Sequence, residues 1–190
     1  LLSQASYPIK GLHTFLRALP IVLKKYPDTT VYIAGFDLTC RNGGILRKIL
    51  IPGYGLMIRR IMDKFGLNGI VQFTGALNAA EMKEQLLRSN LFVCPSSIEN
   101  SPNSLGEAQL LGVPCVGSYA GGIPDMIPDK TCGLLYRYED YEMLAQRIID
   151  VFEDLKSFDN SNMRQVARER HSQEKNLLQQ VHIYKQILGE

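Results

Sequence analysis

Residues 91–118 read LFVCPSSIENSPNSLGEAQLLGVPCVGS, and this stretch decides the fold. It opens with the apolar run 91–95, which is typical of a parallel strand buried on both faces. The segment Asn103–Leu111 then reads as a helix that Gly112 closes. A second apolar run, Pro114–Ser118, reads as another strand. Two such strands joined by a helix predict a parallel pair with a crossover helix, the repeating unit of α/β proteins.

The same alternation of strands and helices extends in both directions from this unit. Further strands are predicted at Leu1–Gln4, Thr30–Ala34, Ile70–Thr74 and Gly133–Tyr136. Further helices are predicted at Leu12–Lys25, Leu56–Phe65, Ala79–Arg88, Tyr141–Leu155, 160–170 and 173–188. We therefore predict an α/β fold, a three-layer Rossmann-like domain with a parallel sheet and helices on both faces.

One domain is expected to account for most of the chain. We assign residues 1–158 to the Rossmann-like domain and residues 159–190 to C-terminal helices. The region Asp37–Tyr54 is irregular and is expected to be a long functional loop or to hold a short helix at 45–50. Residues 1–4 read as a strand already under way and have no signal-peptide features, so we expect an earlier segment in the native protein.

The composition is that of a globular protein and argues against several other classes. The 190 residues are 45% apolar and 21% charged, with a net charge of +2, so nucleic acid is not an expected partner. No apolar run approaches the ~18 residues that a membrane span needs. The four cysteines lie far apart, which weakens zinc and dithiol interpretations. We expect Cys94 and Cys115 to be buried free thiols of a cytoplasmic protein.

Small and polar residues follow the predicted strands at one edge of the sheet. Ligands of open parallel sheets bind beyond the carboxyl ends of the strands. In chain order, the loops at that edge contain Lys10-Gly11, Gly35-Phe36, Gly75-Ala76-Leu77, Ser96–Ser104 and Gly121-Gly122. The binding site is therefore expected at this edge.

The loop after the fourth strand, with the helix that follows it, is the most informative part of this edge. Ser101-Pro102 is typical of an N-cap followed by proline at the first helical position. The N–H groups of such a helix start favour an anion such as phosphate. Asn103, Ser104 and Glu107 share one helix face, where a carboxylate suits a ribose diol. Glu99, just before the helix, suits a sugar hydroxyl.

Simpler interpretations compete with these assignments. Glu107 is also consistent with a favourable helix-dipole partner, and both Glu99 and Lys10 are consistent with solvated charges. Gly121-Gly122 is equally typical of a turn before a helix. Gly106 inside the helix leaves room either for a ligand or for neighbouring backbone.

Residues 95–108, PSSIENSPNSLGEA, resemble the E-x7-E signature of glycosyltransferase family 4, the glycosyl transferases group 1, whose fold is GT-B. The resemblance continues through 111–117, LGVPCVG, and 121–125, GGIPD. Lys10-Gly11 is similar to the lysine–glycine pair after the family's first strand, and residues 73–75 are similar to its F-x-G turn. Together these landmarks keep the family's order over about residues 1–150. The chain resembles the C-terminal, donor-binding half of such an enzyme.

The resemblance implies roles for individual residues. Glu99 and Lys10 are the catalytic candidates: the first would contact the donor hexose, and the second would neutralise the diphosphate leaving group. Glu107 would hold the ribose hydroxyls. The other donor-binding candidates are the helix-start residues Asn103, Ser104 and Leu105, the nucleobase neighbours Gly75 and Leu77, and the loop glycines Gly35, Gly121 and Gly122.

The resemblance also implies an activity and partners. A hexose would pass from a nucleotide-sugar to an acceptor hydroxyl with retention of the anomeric configuration, without a metal or other cofactor. The acceptor, a saccharide or a lipid-linked molecule of polysaccharide biosynthesis, would bind a separate N-terminal domain, so the chain alone is expected to be inactive. The expected location is the cytoplasm, either free or peripheral at the inner face of the membrane.

The C-terminal helices are expected to cross toward that N-terminal domain. Their apolar side chains would then be partly exposed in this chain and would favour weak self-association. These residues are Val166, Leu177, Leu178, Val181 and Ile187.

Two departures from the family pattern and three alternatives accompany this interpretation. The family usually has Gly-Arg before the lysine, whereas residues 3–7 contain no arginine, and Asp125 stands where glutamate is common. The alternatives are another GT-B enzyme such as an epimerase or a phosphorylase-like enzyme, a non-catalytic nucleotide-sugar-binding module, and a nicotinamide-binding domain. The last is disfavoured because no G-x-G-x-x-G follows the first strand.

Overall fold

The computed structural model describes residues 1–3, 6–40, 53–155 and 160–189. The strands are β1 (Leu2–Ser3), β2 (Val31–Ala34), β3 (Val71–Gly75), β4 (Phe92–Cys94), β5 (Cys115–Ser118) and β6 (Leu134–Tyr136). The helices are α1 (Leu12–Lys25), α2 (Gly53–Lys64), α3 (Ala79–Leu87), α4 (Asn103–Leu110), α5 (Ile123–Met126), α6 (Tyr141–Glu153), α7 (Asn160–Arg170) and α8 (Gln173–Leu188).

Every predicted strand and helix is confirmed to within a few residues, because the apolar periodicity that marks them is local. The one described α-helix without a prediction of its own is α5, a single turn too short to show a period. The helix considered at 45–50 and the domain boundary at 158 lie outside the described residues.

The strands form two parallel sheets, ordered β1-β2-β3 and β4-β5-β6. The two sheets meet at Leu1, whose backbone nitrogen donates to Leu91 O at 2.8 Å and whose carbonyl accepts from Val93 N at 2.9 Å. The strand order across the junction is therefore β3-β2-β1-β4-β5-β6. The direction of winding reverses between β1 and β4, which is where doubly wound folds bind ligands.

Two hydrophobic cores cover the two faces of the sheets, as the three-layer prediction requires. Successive side chains of a strand point to opposite faces. Accordingly, Val93 and Val116 pack with α1, α2 and α6, whereas Phe92, Cys94 and Cys115 pack with α3, α4 and α5. The parallel sheet is thus covered by helices on both sides, as its continuous apolar strands indicate.

The last two helices differ in how they attach to this domain. Helix α7 buries Met163 and Ala167 completely against α4, whereas α8 has no buried residue. Within the described ranges, none of the helices combines the length and the apolar character that crossing a bilayer requires.

Candidate functional site

A cleft of about 600 Å³ opens at the carboxyl ends of the strands, where β1 and β4 adjoin. Its walls come from the loops after β1, β2, β3 and β4. The predicted site residues that line it are Lys10, Gly35, Leu77, Glu99, Asn103, Ser104 and Glu107. Gly75, Leu105, Gly121 and Gly122 are not part of its lining.

A second cavity, of about 700 Å³, lies at the opposite edge of the sheet, between the turn at 26–30 and the segment 88–91. Its two cations are already engaged, Lys25 with Glu153 and Arg88 with Glu84. The cleft at the carboxyl edge is the better candidate site because it gathers the polar groups described below.

Lys10 and Glu99 are brought together although 88 residues separate them in the chain. Lys10 Nζ donates to Glu99 Oε1 at 2.5 Å, and Ser96 Oγ donates to the same oxygen at 2.9 Å. The side chains of Lys10 and Glu99 are only 20% and 13% exposed. The alternative in which both are solvated surface charges is therefore wrong. Ser96 is itself held by Ser118, whose Oγ donates to its carbonyl at 2.5 Å.

Glycines allow the loops around Glu99 to approach one another. A Cβ on Gly121 would lie 1.7 Å from Glu99 O, and a Cβ on Gly122 would lie 1.8 Å from Asn100 O. Gly122 N also donates to Glu99 O at 3.1 Å. These two glycines therefore hold the Glu99 loop in place from outside the cleft, and their predicted contact with the donor stays a prediction.

The start of α4 differs from the prediction in its cap. Pro102, with φ −67° and ψ 110°, occupies the N-cap position, and no side chain caps the helix. Ser101 is not the N-cap, because the helix begins one residue later and its hydroxyl instead lies 3.8 Å from Met126 Sδ. A proline cannot cap with its side chain, so the first N–H groups of the helix are left for another acceptor.

Those first N–H groups belong to Asn103 and Ser104, and no described residue accepts from either of them. Leu105 differs: its N–H donates to Pro102 O at 3.0 Å and its side chain is fully buried in the core. The structure therefore gives no support to the donor contact predicted for Leu105. One turn on, Glu107 is exposed on the cleft side of the helix.

Gly106 makes room for a neighbouring side chain on the side of α4 away from the cleft. A Cβ at this position would lie 2.3 Å from His171 Nε2. The imidazole belongs to the short connection between α7 and α8, and its Nε2 is buried without a hydrogen-bond partner in the described part of the chain. The bare position thus serves helix packing, because the side chain of His171 fills the space beside it.

The loops after β2 and β3 are joined by a reciprocal pair of hydrogen bonds. Gly35 N donates to Gly75 O at 3.0 Å, and Gly75 N donates to Gly35 O at 3.1 Å. The φ angles of these residues, 147° and 80°, are ones that side-chain-bearing residues rarely adopt. Both glycines therefore shape this end of the cleft through their hydrogen bonds, but only Gly35 also lines it.

Sequence reasoning missed several residues that line the cleft, among them Ser96, Phe36 and Met82. Ser96 carried a weak signal, a small polar residue just after a strand. Phe36 follows the glycine at the end of β2, yet only that glycine was selected. Met82 gave no signal, because its position on α3 faces the cleft only once the fold is known.

Within the described residues, no group of three or more histidine, cysteine, aspartate or glutamate side chains could hold a metal ion. A reaction without metal stays a prediction. The cysteines are free, and Cys94 and Cys115 are buried as predicted. Burial, followed by the nearby negative charge of Glu99, raises the pKa of the Cys94 thiol to about 11, so this group at the floor of the cleft is neutral at pH 7.

Comparison with known proteins agrees with this architecture. A GDP-mannose-dependent monoacylated alpha-(1-6)-phosphatidylinositol monomannoside mannosyltransferase of Corynebacterium glutamicum is 26% identical over 154 residues, which are 77% of this chain and 36% of that protein. Alr3699/HepE of Anabaena, solved in complex with UDP, superimposes with a TM-score of 0.79 at 21% identity over 97% of this chain and 48% of that one. The present chain therefore spans half or less of the length of these two proteins.

The C-terminal domain of a glycosyl transferase group 1 family protein (LpcC) from Francisella tularensis covers 90% of this chain, which in turn covers 83% of that domain. Its TM-score is 0.71 at 20% identity. The sequence model of the family described as glycosyl transferases group 1 matches residues 2–185. The chain belongs to the glycosyl transferases group 1 family, and its fold is that of the C-terminal domain of a GT-B glycosyltransferase.

Proposed function

We propose that this chain is the donor-binding half of a glycosyltransferase and that its cleft holds the diphosphate and the sugar of a nucleotide-sugar. One observation carries the proposal. The cation of Lys10, the unpartnered N–H groups of Asn103 and Ser104, and the carboxylates of Glu99 and Glu107 converge on a single cleft.

The diphosphate is expected at the start of α4, next to Lys10. Lys10 is the only lysine or arginine among the described residues that line the cleft. An ammonium group has three donors, so Lys10 can keep its bond to Glu99 and also bind a phosphate oxygen. Because no arginine occurs at residues 3–7, the helix start supplies the remaining stabilisation through two N–H groups and the positive end of the helix dipole.

The same groups account for catalysis of the transfer step. When the bond between the sugar and the diphosphate breaks, negative charge grows on the departing phosphate. A cation and N–H dipoles that are already in place stabilise this charge without reorganising. Glu99, fixed by Lys10 and Ser96, would orient the hexose, and Glu107 would accept two hydrogen bonds from the ribose diol. Retention at the anomeric carbon is part of this proposal.

A thermal-shift screen with UDP-glucose, GDP-mannose and ADP-glucose tests donor binding. GDP-mannose and UDP-glucose are chosen because the mannosyltransferase relative is named for GDP-mannose and the HepE structure holds UDP. ADP-glucose adds a third base to the comparison. A ligand at about 100 times its Kd adds roughly 2.7 kcal/mol to the free energy of unfolding. For a chain of this size that raises the Tm by about 5–10 °C.

Matched variants locate the binding. Lys10→Ala and Glu107→Ala should abolish the shift, whereas Lys83→Ala and Glu142→Ala, exposed residues that do not line the cleft, should keep it. The absence of a shift with all three donors, or an unchanged shift in Lys10→Ala, would overturn the proposal.

The transfer reaction is tested in the full-length protein. Glu99→Ala should remove transfer while the protein stays folded, and NMR of the product should show the same anomeric configuration as the donor. Epimerised sugar without transfer would indicate another GT-B enzyme. Donor binding with neither reaction would indicate a non-catalytic module. An inverted product would overturn retention alone.

The apolar face of α8 is expected to contact the other domain of the full protein. Leu177, Leu178 and Ile187 are 60%, 63% and 74% exposed. Large apolar side chains that are exposed together are typical of a surface that another protein unit covers. The isolated chain should therefore self-associate weakly, and it should lack transfer activity. Sedimentation velocity tests the self-association, which Leu177→Glu and Ile187→Glu should reduce. The polysaccharide or lipid-linked acceptor and the cytoplasmic location, free or at the inner face of the membrane, are part of the same proposal.

A further inference from the structure

We propose that Phe36 is the aromatic surface on which the nucleobase of the donor stacks; this rests on the proposed function of the cleft. Phe36 directly follows the Gly35–Gly75 bridge and lines the cleft, yet the residue is 71% exposed. It is thus a large aromatic ring, held at the site and covered by very little of the protein.

The backbone directs Phe36 to this position. The register of β2 against β3 shifts between Ile33 and Ala34, so that Ala34 lies beside Gly75. The two hydrogen bonds between Gly35 and Gly75 then close the strand ends, and the chain leaves this bridge at Phe36 on one side and at Ala76 on the other. Because the bridge fixes both exits, Phe36 is held at the cleft although most of its surface is exposed.

The cleft-lining residues that belong to β2, to α3 and to the loops after β2 and β3 are apolar, whereas the charged ones belong to the loops after β1 and β4 and to α4. Ala76, Leu77 and Met82 line the apolar end together with Phe36, whereas Lys10 and the α4 start form the far wall. A nucleotide-sugar has the same division, with a flat base at one end and charge in the diphosphate. The base would therefore meet the apolar end when the diphosphate meets Lys10.

The described acidic side chains next to this end are engaged by their own loops. Asp37 Oδ1 accepts from the N–H and the hydroxyl of Thr39, at 2.8 Å and 2.6 Å. Glu81 accepts from Asn78 N at 2.8 Å in the capping box of α3. Tyr7 is a second aromatic residue of the cleft lining and is 66% exposed, but it belongs to the loop after β1, where its carbonyl accepts from Lys10 N at 3.0 Å. Phe36 is therefore the aromatic residue at the apolar end, and every base has a flat face that can stack on it.

Phe36→Trp provides a direct signal, because the chain has no tryptophan. Titration of this variant with UDP and with GDP should quench its fluorescence in a saturable way, while inorganic pyrophosphate should leave the fluorescence unchanged. Phe65→Trp, an exposed position outside the cleft, is the matched control and should not respond. A Phe36→Trp signal that stays constant while a thermal shift shows nucleotide binding would overturn the inference.

Phe36→Ala measures what the ring contributes. Base stacking on an aromatic side chain corresponds to roughly 5- to 150-fold in Kd, and that loss is expected for UDP and GDP with pyrophosphate binding unchanged. An equal loss for pyrophosphate, or a Kd within twofold of wild type for every nucleotide, would overturn the role of Phe36. The latter result would leave the proposed function intact, whereas wild-type protein that binds no nucleotide would end both.

Discussion

The two sides of helix α4 differ in how many of their polar groups are satisfied by the protein itself. On the side that faces the cleft, the N–H groups of Asn103 and Ser104 have no acceptor in the described residues, and Glu107 is exposed. Unsatisfied polar groups at a cleft are available to a ligand.

Away from the cleft, the side chain of Gln109 and the carbonyl that follows the helix are hydrogen-bonded by the protein itself. Gln109 Nε2 donates to Met126 O at 2.7 Å and to Cys132 O at 3.1 Å. Arg170 reaches back from α7 and donates to Gln109 Oε1 at 2.9 Å and to Met126 O at 3.0 Å. Arg164 donates to Leu111 O at the end of the helix.

The difference indicates that one side of this eight-residue helix stabilises the fold and the other side is left for a ligand. The side away from the cleft fixes α4 by contacts that only the folded chain can make. The helix is therefore fixed in place while the N–H groups of Asn103 and Ser104 stay available to a ligand. Substitutions on the two sides should then separate cleanly, with loss of stability on one side and loss of nucleotide binding on the other.

The largest effect is expected at Gly11, where the loops after β1 and β4, which both line the cleft, pack against each other. Gly11 has φ +73°, and a Cβ there would lie 1.8 Å from Pro95 O. Gly11→Ala combines a left-handed backbone penalty of about 1–2 kcal/mol with an overpacking cost of about 1–3 kcal/mol. The free energy of unfolding, measured with urea, should therefore fall by about 2–5 kcal/mol.

Gly66→Ala isolates the backbone part of that loss. Gly66 has nearly the same φ, +67°, but a Cβ at this position would have no atom of another part of the described chain within 4 Å. Its loss should be only about 1–2 kcal/mol. Equal losses at the two positions would mean that the contact between the loops after β1 and β4 contributes nothing.

Arg170→Ala is expected to have the next largest effect. The substitution leaves the buried oxygen of Gln109 without its donor, which costs about 1–3 kcal/mol. Nucleotide affinity per folded molecule should stay within twofold of wild type, since Arg170 does not line the cleft. Arg168→Ala, an exposed position on the same helix, is the control. A fall in affinity without a fall in stability would contradict the division between the two sides of α4.

Gly106→Ala should have a smaller effect whose sign depends on His171. The new Cβ meets His171 Nε2 at 2.3 Å, so overpacking should outweigh the roughly 1 kcal/mol that alanine gains over glycine in a helix. In a His171→Ala background the obstacle is gone, and the same substitution should stabilise by up to about 1 kcal/mol. A double-mutant cycle by urea unfolding measures this reversal; the same sign in both backgrounds would rule out the contact.

The fold and the outline of the site were accessible from the sequence, because both rest on local patterns and one topological rule. Periodicity located α1 and α4, and the rule that ligands bind beyond parallel strand ends joined Lys10 to Glu99. The N-cap was misplaced by one residue because Ser101 and Pro102 each fit a helix start, and only the backbone angles decide between them. The contact of Gly106 with His171 was out of reach, since it joins residues that no local pattern relates.

The smallest effect concerns thiol chemistry, where again the cleft side is compared with the opposite side. Cys94 lies at the floor of the cleft and Cys132 behind α4, and both are buried with their pKa raised chiefly by that burial. Since the thiolate is the reactive form, neither should react with a thiol reagent such as DTNB at pH 8. Cys40, the only cysteine that is not buried, should account for one fast equivalent, and Cys40→Ser should remove it. A Cys40→Ser variant that still reacts with one fast equivalent of DTNB, in a reaction that added nucleotide blocks, would contradict this expectation. That result would mean that Cys94 is open to solvent and that the floor of the cleft is less closely packed than the region behind α4.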